Sequence, residues 1–115
     1  MPVDRRPIDQ MILDVGPEAF QRLGLLFEEE TRDVVVELRR RLEAEDWREL
    51  GRQAHSLKHS TSSFGLMELA AIAAAIEKAA DAHLGVEAGI QLAALEREIE
   101  TDLAQLNQLL RSIEV

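Results

Sequence analysis

The sequence contains no cysteine. Neither a disulfide framework nor a thiolate metal site can therefore form, and nothing argues for an oxidising compartment. The polar start of the chain, MPVDRRPIDQ, lacks the apolar run of a signal peptide, and no segment approaches the roughly 20 apolar residues that span a bilayer. We therefore expect a cytoplasmic protein without a membrane partner.

Aromatic residues are also scarce, at 3%, although apolar residues make up 46% of the chain. Most of that apolar share is Ala, Leu, Ile and Val, which suits packed helices better than a β-sandwich. The length of 115 residues is typical of one domain. We therefore expect a single helical domain over residues 1–115.

Positive charge is outnumbered, with 13 Lys and Arg against 22 Asp and Glu and a net charge of −9. Such a chain repels the phosphate backbone of nucleic acid and anionic lipid. We expect no nucleic-acid partner. The acidic runs lie on amphipathic segments, where charge normally serves solubility.

The three prolines all precede residue 18, so the strongest helix breaker is absent from the rest of the chain. Apolar residues recur at three- and four-residue steps in five segments. In the second segment the predicted buried stripe consists of Phe20, Leu23, Phe27, Thr31, Val34, Leu38 and Leu42. These predicted helices cover about 7–15, 17–42, 47–64, 66–82 and 86 almost to the end. Asp46, followed by Glu49, indicates an N-cap and capping box for the third helix. Short connections favour antiparallel neighbours, so we predict an all-α, up-and-down four-helix bundle with a short N-terminal capping helix.

The third helix places one histidine opposite its apolar stripe. That stripe consists of Leu50, Ala54, Leu57, Thr61 and Phe64. At roughly 100° per residue, His55 falls on the other side, which we expect to face solvent together with Arg48, Gly51, Arg52, Lys58, His59 and Ser62. Glycine lowers helix stability by about 1 kcal/mol relative to Ala. We therefore interpret Gly51 as a position without a side chain that lets a partner protein approach, the alternative being a neutral substitution.

An exposed neutral imidazole can attack a phosphoryl group through its unprotonated nitrogen. Lys58, one turn on, and Arg52, one turn back, can both approach a phosphoryl group on His55. The alternative is a surface histidine without a role, on an ordinary solvated face to which Ser62 also belongs. The G-x-x-x-x-G-K-[ST] nucleotide loop is absent from the sequence, so the chain is not expected to take phosphate from ATP alone.

The run His55-Ser56-Leu57-Lys58, followed by Ser60 to Ser63 and Phe64-Gly65, resembles the core motif of histidine-phosphotransfer (HPt) domains. The resemblance extends to Asp46-Trp47, to Leu50 and Ala54, and to the Leu- and Ala-rich helix with Glu77. It covers nearly the whole chain, most strongly residues 46–80, and only as an amphipathic pattern elsewhere.

This resemblance implies that His55 takes a phosphoryl group from an aspartate of one receiver domain and passes it to another, with Lys58 positioning the group. The chain would be a phosphocarrier, not an enzyme, and a monomer without a cofactor, since the receiver would supply Mg²⁺. Its partners would be response-regulator receiver domains and a hybrid histidine kinase, docking on the exposed sides of the second and third helices at Gly51, Arg52, His59 and Ser62. The alternative is a pseudo-HPt adaptor that binds a kinase or receiver without carrying phosphate.

His59 departs from the family pattern, which usually has glycine after the lysine. Its ring could crowd the docking partner, hydrogen-bond the phosphoryl group or point away. His55 and His59 also have the i, i+4 spacing of paired metal ligands. Two ligands do not make a site, and the glutamate of H-E-x-x-H is absent, so we expect no metal.

Overall fold

Helices make up nearly all of the backbone in the computed structural model, which describes residues 3–113. The five helices are α1 (Arg5–Val15), α2 (Pro17–Glu43), α3 (Trp47–Ser63), α4 (Met67–Asp81) and α5 (Gly85–Ser112). No strand occurs within the described range, which confirms the predicted all-helical class. None of the helices there is long and apolar enough to cross a membrane.

A side-chain N-cap sets the start of α1 and of α3, and only the start of α1 differs from the prediction. α1 begins at Arg5 instead of Pro7, because the Asp4 side chain accepts the Arg6 N–H at 3.0 Å. Asp46 caps α3 as predicted, accepting the Glu49 N–H at 3.3 Å. The capping box is only half formed, because the Asp46 N–H donates to Arg41 O at 3.0 Å.

Two turns rely on left-handed backbone. Gly65 follows α3 at φ +74°, and the next N–H, that of Leu66, donates to Thr61 O at 2.9 Å. His83 takes φ +56° after α4. Gly85, one residue before the predicted start of the fifth helix, is the first residue of α5. Both turns are short, so α4 lies beside α3 and α5 beside α4.

Each of the four long helices contacts two other long helices. α3 contacts α2 and α4, α5 contacts α4 and α2, and α1 lies on α2 and α3. One apolar cluster fills the space between them, with Phe20, Leu38, Leu50, Leu69 and Leu92 among its fully buried members. The Asp4 N–H donates to Gly65 O at 2.8 Å, which holds the start of α1 against the α3–α4 turn.

The buried stripe of α2 differs from the predicted one. Leu23, expected inside, is 43% exposed, whereas Val35 is 7% exposed. A Cβ on Gly24 would lie 2.5 Å from Leu110 Cδ2, so α2 turns this side closely against α5. The stripe is displaced because α2 packs against both α3 and α5, and Leu23 is left at the edge of this interface, near α1.

Candidate functional site

His55 lies near the middle of α3, and its side chain is 50% exposed. The predicted exposure of this histidine is confirmed. Its chain neighbour Ala54 is fully buried, and Leu57 is 2% exposed. Burial of these residues fixes the rotation of the helix and therefore the direction of the imidazole.

One carboxylate on α4 joins the two residues of the predicted site. His55 Nδ1 lies 2.8 Å from Glu77 Oε2, and Lys58 Nζ lies 3.1 Å from Glu77 Oε1. Burial on its own would raise the pKa of the Glu77 carboxyl, but the hydrogen bonds from Lys58 and His55 outweigh it and hold the pKa below its ordinary value. Glu77 is therefore an anion at neutral pH.

This contact determines which nitrogen of His55 is nucleophilic. An ionised carboxylate only accepts hydrogen bonds, so the hydrogen between the two residues belongs to Nδ1. In the neutral imidazole the other nitrogen, Nε2, then carries the lone pair. The carboxylate also stabilises the positive charge that the ring acquires when Nε2 forms a bond.

His59 is turned towards His55. The two Nε2 atoms are 3.1 Å apart, and the rings meet edge to face with their centroids 4.5 Å apart. Of the three orientations that the sequence left open, the ring therefore does not point away.

Gly51 does not face solvent, and that expectation is wrong. It is buried, and a Cβ there would lie 3.1 Å from Asp81 Oδ1 and 3.5 Å from Ala80 Cβ. α3 contacts α4 as well as α2, so this side of the helix is covered by a neighbour. Close approach of α4 accounts for the glycine.

The predicted partner-binding residues Arg52 and Ser62 lie outside the His55 cluster. The Arg52 guanidinium pairs with Glu49, with Nε 3.1 Å from Oε1, and this hydrogen bond lowers the pKa of Glu49. Ser62 is half-buried near the end of α3, where its carbonyl accepts the Gly65 N–H at 3.0 Å. His55, Lys58 and His59 are thus brought together, whereas Arg52 and Ser62 are not.

Glu77 has no role among the residues predicted to form the site. A signal was nevertheless present, since Glu77 lies eleven residues after Leu66 and His55 eleven residues before it. Two adjacent helices joined by a tight turn bring such equidistant residues side by side. The Gly51 contact with Asp81 follows the same rule.

A cleft lies between α2 and α3. Its volume is about 330 Å³, and its lining includes Phe27, Val34, Arg52, Ser56 and Ser60. A second cleft of about 260 Å³ lies next to it, lined by Leu23 and Leu26 among others. No group of three or more His, Asp or Glu side chains within residues 3–113 is arranged to hold a metal ion.

Comparison with known protein families identifies the type of domain. A family model described as Hpt domain matches residues 23–112. No curated protein and no solved structure matches the chain. The matched range includes His55, Lys58, His59 and Glu77.

Proposed function

The chain belongs to the Hpt domain family, and on this basis we propose that His55 accepts a phosphoryl group from the aspartate of one receiver domain and passes it to the aspartate of another. Members of the family act in histidine phosphotransfer in two-component signalling, as phosphocarriers rather than kinases. The observation that carries the proposal is the contact of 2.8 Å between His55 Nδ1 and Glu77 Oε2.

The transfer step follows from that contact. The lone pair of His55 Nε2 forms the new N–P bond, while the P–O bond to the donor aspartate breaks and its electron pair remains on the aspartate carboxylate. The Nδ1 proton stays on the ring, which becomes an imidazolium paired with Glu77. The return step to a second aspartate reverses these changes.

Lys58 supplies positive charge beside the reacting nitrogen. Its Nζ is held 3.1 Å from Glu77 Oε1, with the side chain 31% exposed. An ammonium group on a flexible stem can share its donors between this carboxylate and a phosphoryl oxygen. We infer that Lys58 positions the phosphoryl group and offsets its charge.

The receiver docks on the exposed sides of α2 and α3 in this proposal. Leu23 and Leu26, which are 43% and 50% exposed, give the α2 side an apolar contact. Arg52, His59 and Ser62 give the α3 side polar ones, whereas the buried Gly51 does not contribute a surface. The receiver supplies Mg²⁺, and a hybrid histidine kinase is the upstream partner.

The proposal includes the antiparallel arrangement of the four long helices in a monomeric single domain. Contacts between α2 and α5 support the antiparallel arrangement. Gln21 near the start of α2 donates to Leu110 O near the end of α5, and Arg39 near the end of α2 pairs with Glu96 in the first half of α5. A cytoplasmic location stays a prediction of the sequence.

Label transfer from a phosphorylated receiver tests the function. A receiver domain is phosphorylated with labelled acetyl phosphate and mixed with the full chain. We expect acid-labile, base-stable label on the wild type and none on His55→Gln. His83→Asn is the matched control, because His83 lies in the α4–α5 turn and Asn tolerates its left-handed backbone. Equal labelling of wild type and His55→Gln would refute the proposal.

A second candidate function is the pseudo-HPt adaptor. The close approach of His59 to His55 Nε2 favours it, because the nucleophilic atom is already occupied. An adaptor would bind the receiver as tightly after His55→Gln as before and would take up no label. Calorimetric binding measured beside the label transfer separates the two functions.

A further inference from the structure

The nitrogen of His55 that would receive the phosphoryl group is already in contact with His59. We propose that His59 is a positioning residue that donates its Nε2–H to Nε2 of His55 and so masks the nucleophilic lone pair until the His59 ring turns aside. The inference rests on the proposed function, since it concerns the accessibility of the same atom.

The positions of the protons allow only one hydrogen-bonding arrangement between the neutral imidazoles of His55 and His59. Glu77 is ionised and accepts from Nδ1 of His55 at 2.8 Å. Nε2 of neutral His55 therefore has no hydrogen and can only accept. Its partner 3.1 Å away, Nε2 of His59, must be the donor. His59 is thus the tautomer with hydrogen on Nε2, and it occupies the lone pair that phosphoryl transfer requires.

Helical spacing produces this contact. Residues four apart lie one above the other on a helix surface, so an i+4 histidine reaches its i partner on the same exposed side. The Glu77 contact holds the His55 ring from the α4 side, whereas the ring of His59 makes no other hydrogen bond within residues 3–113. The more weakly held ring, that of His59, is therefore the one that moves.

Turning the ring aside costs one exposed hydrogen bond. A typical net value of about 0.5–1.5 kcal/mol corresponds to about a two- to tenfold reduction in the reactivity of His55. The mask is therefore weak enough for a docked receiver to displace it, and strong enough to slow reaction with small electrophiles.

The test measures the reactivity of His55 in the full, unphosphorylated chain. Diethyl pyrocarbonate attacks the unprotonated nitrogen of histidine, and the rate of modification at His55 is followed by mass spectrometry. His59→Met removes the donor while keeping the length of the side chain, and His59→Gln keeps an N–H donor. We expect His55 to react about two- to tenfold faster in His59→Met than in wild type, with His59→Gln close to wild type and His83→Asn unchanged.

Two outcomes would overturn the inference. Equal rates in wild type and His59→Met would show that no lone pair is masked. Equal acceleration in His59→Met and His59→Gln would show that the donor does not matter. Since no receiver takes part, these results are independent of label transfer, so a wild type that takes no label would refute the proposed function without affecting this measurement.

Discussion

Nδ1 of His55 on α3 lies 2.8 Å from Oε2 of Glu77 on α4. The contact joins two helices at the point where the candidate nucleophile is exposed. It fixes the tautomer of the imidazole and places an anion where positive charge would develop during the proposed transfer. The chemistry of the site therefore depends on the spacing between α3 and α4.

Replacing Glu77 by Gln tests this dependence. The variant keeps the shape of the side chain but loses the charge that stabilises the imidazolium. We expect the rate of label transfer to His55 to fall by about ten- to a hundredfold. This range corresponds to the free energy of one hydrogen bond to a charged group. Glu87→Gln, at an exposed position of α5, is the matched control. Similar rates in the two variants would contradict the role of Glu77.

The chain offers a matched pair of lysines, Lys58 and Lys78. Lys58→Met removes the ammonium group beside the phosphoryl site, and we expect transfer to slow by about tenfold. Lys78→Met removes a charge from an exposed position near the end of α4 and should leave the rate unchanged. Stopped-flow measurement with one phosphorylated receiver compares them, and an equal effect of both substitutions would indicate only a change in net charge.

Asp102 provides a pH-dependent test of stability. It is 4% exposed, and burial, assisted by the Glu68 carboxylate, raises the pKa of its carboxyl. A raised folded pKa means that stability is lost as the pH rises through that pKa. Asp102→Asn should therefore melt at a higher temperature than wild type at pH 7, and the difference should shrink below about pH 4.

Thermal melts across this pH range check the expectation. Asp33→Asn, at an exposed position of α2, serves as the control and should show little difference at any pH. A constant difference between wild type and Asp102→Asn from pH 3 to pH 7 would mean that the titration of Asp102 does not contribute.

Gly65 and Gly89 should respond oppositely to alanine. Gly65 has φ +74°, and a Cβ there would overlap Asp4 O, so Gly65→Ala should destabilise the fold by about 2 kcal/mol or more. A Cβ on Gly89, inside α5, meets only Leu42 at 3.8 Å, so Gly89→Ala should stabilise it by about 0.5–1 kcal/mol. Urea unfolding gives the free energy of unfolding of each variant. Equal destabilisation by the two substitutions would contradict the different backbone roles of Gly65 and Gly89.

Much of the fold could be predicted from the chain. Apolar periodicity predicted five helices, and the Asp46 cap marked the start of α3. Leu23 and Gly51 were misplaced in opposite directions, since Leu23 is exposed and Gly51 is buried. A single apolar stripe identifies only the average direction of burial. The neighbouring helices decide which flank of that stripe is covered and which is left open, and periodicity does not show where those neighbours lie.

The sequence by itself determined the helices, the exposure of His55 and the presence of Lys58 and His59 on its side of α3. These follow from local spacing along one helix. Only the tertiary structure decided that Glu77 bridges His55 and Lys58, that Gly51 is covered by α4, and that the His59 ring turns to Nε2 of His55. The first two depend on how closely α4 approaches α3, and the third on a side-chain rotation that Glu77 helps to select by fixing the His55 tautomer.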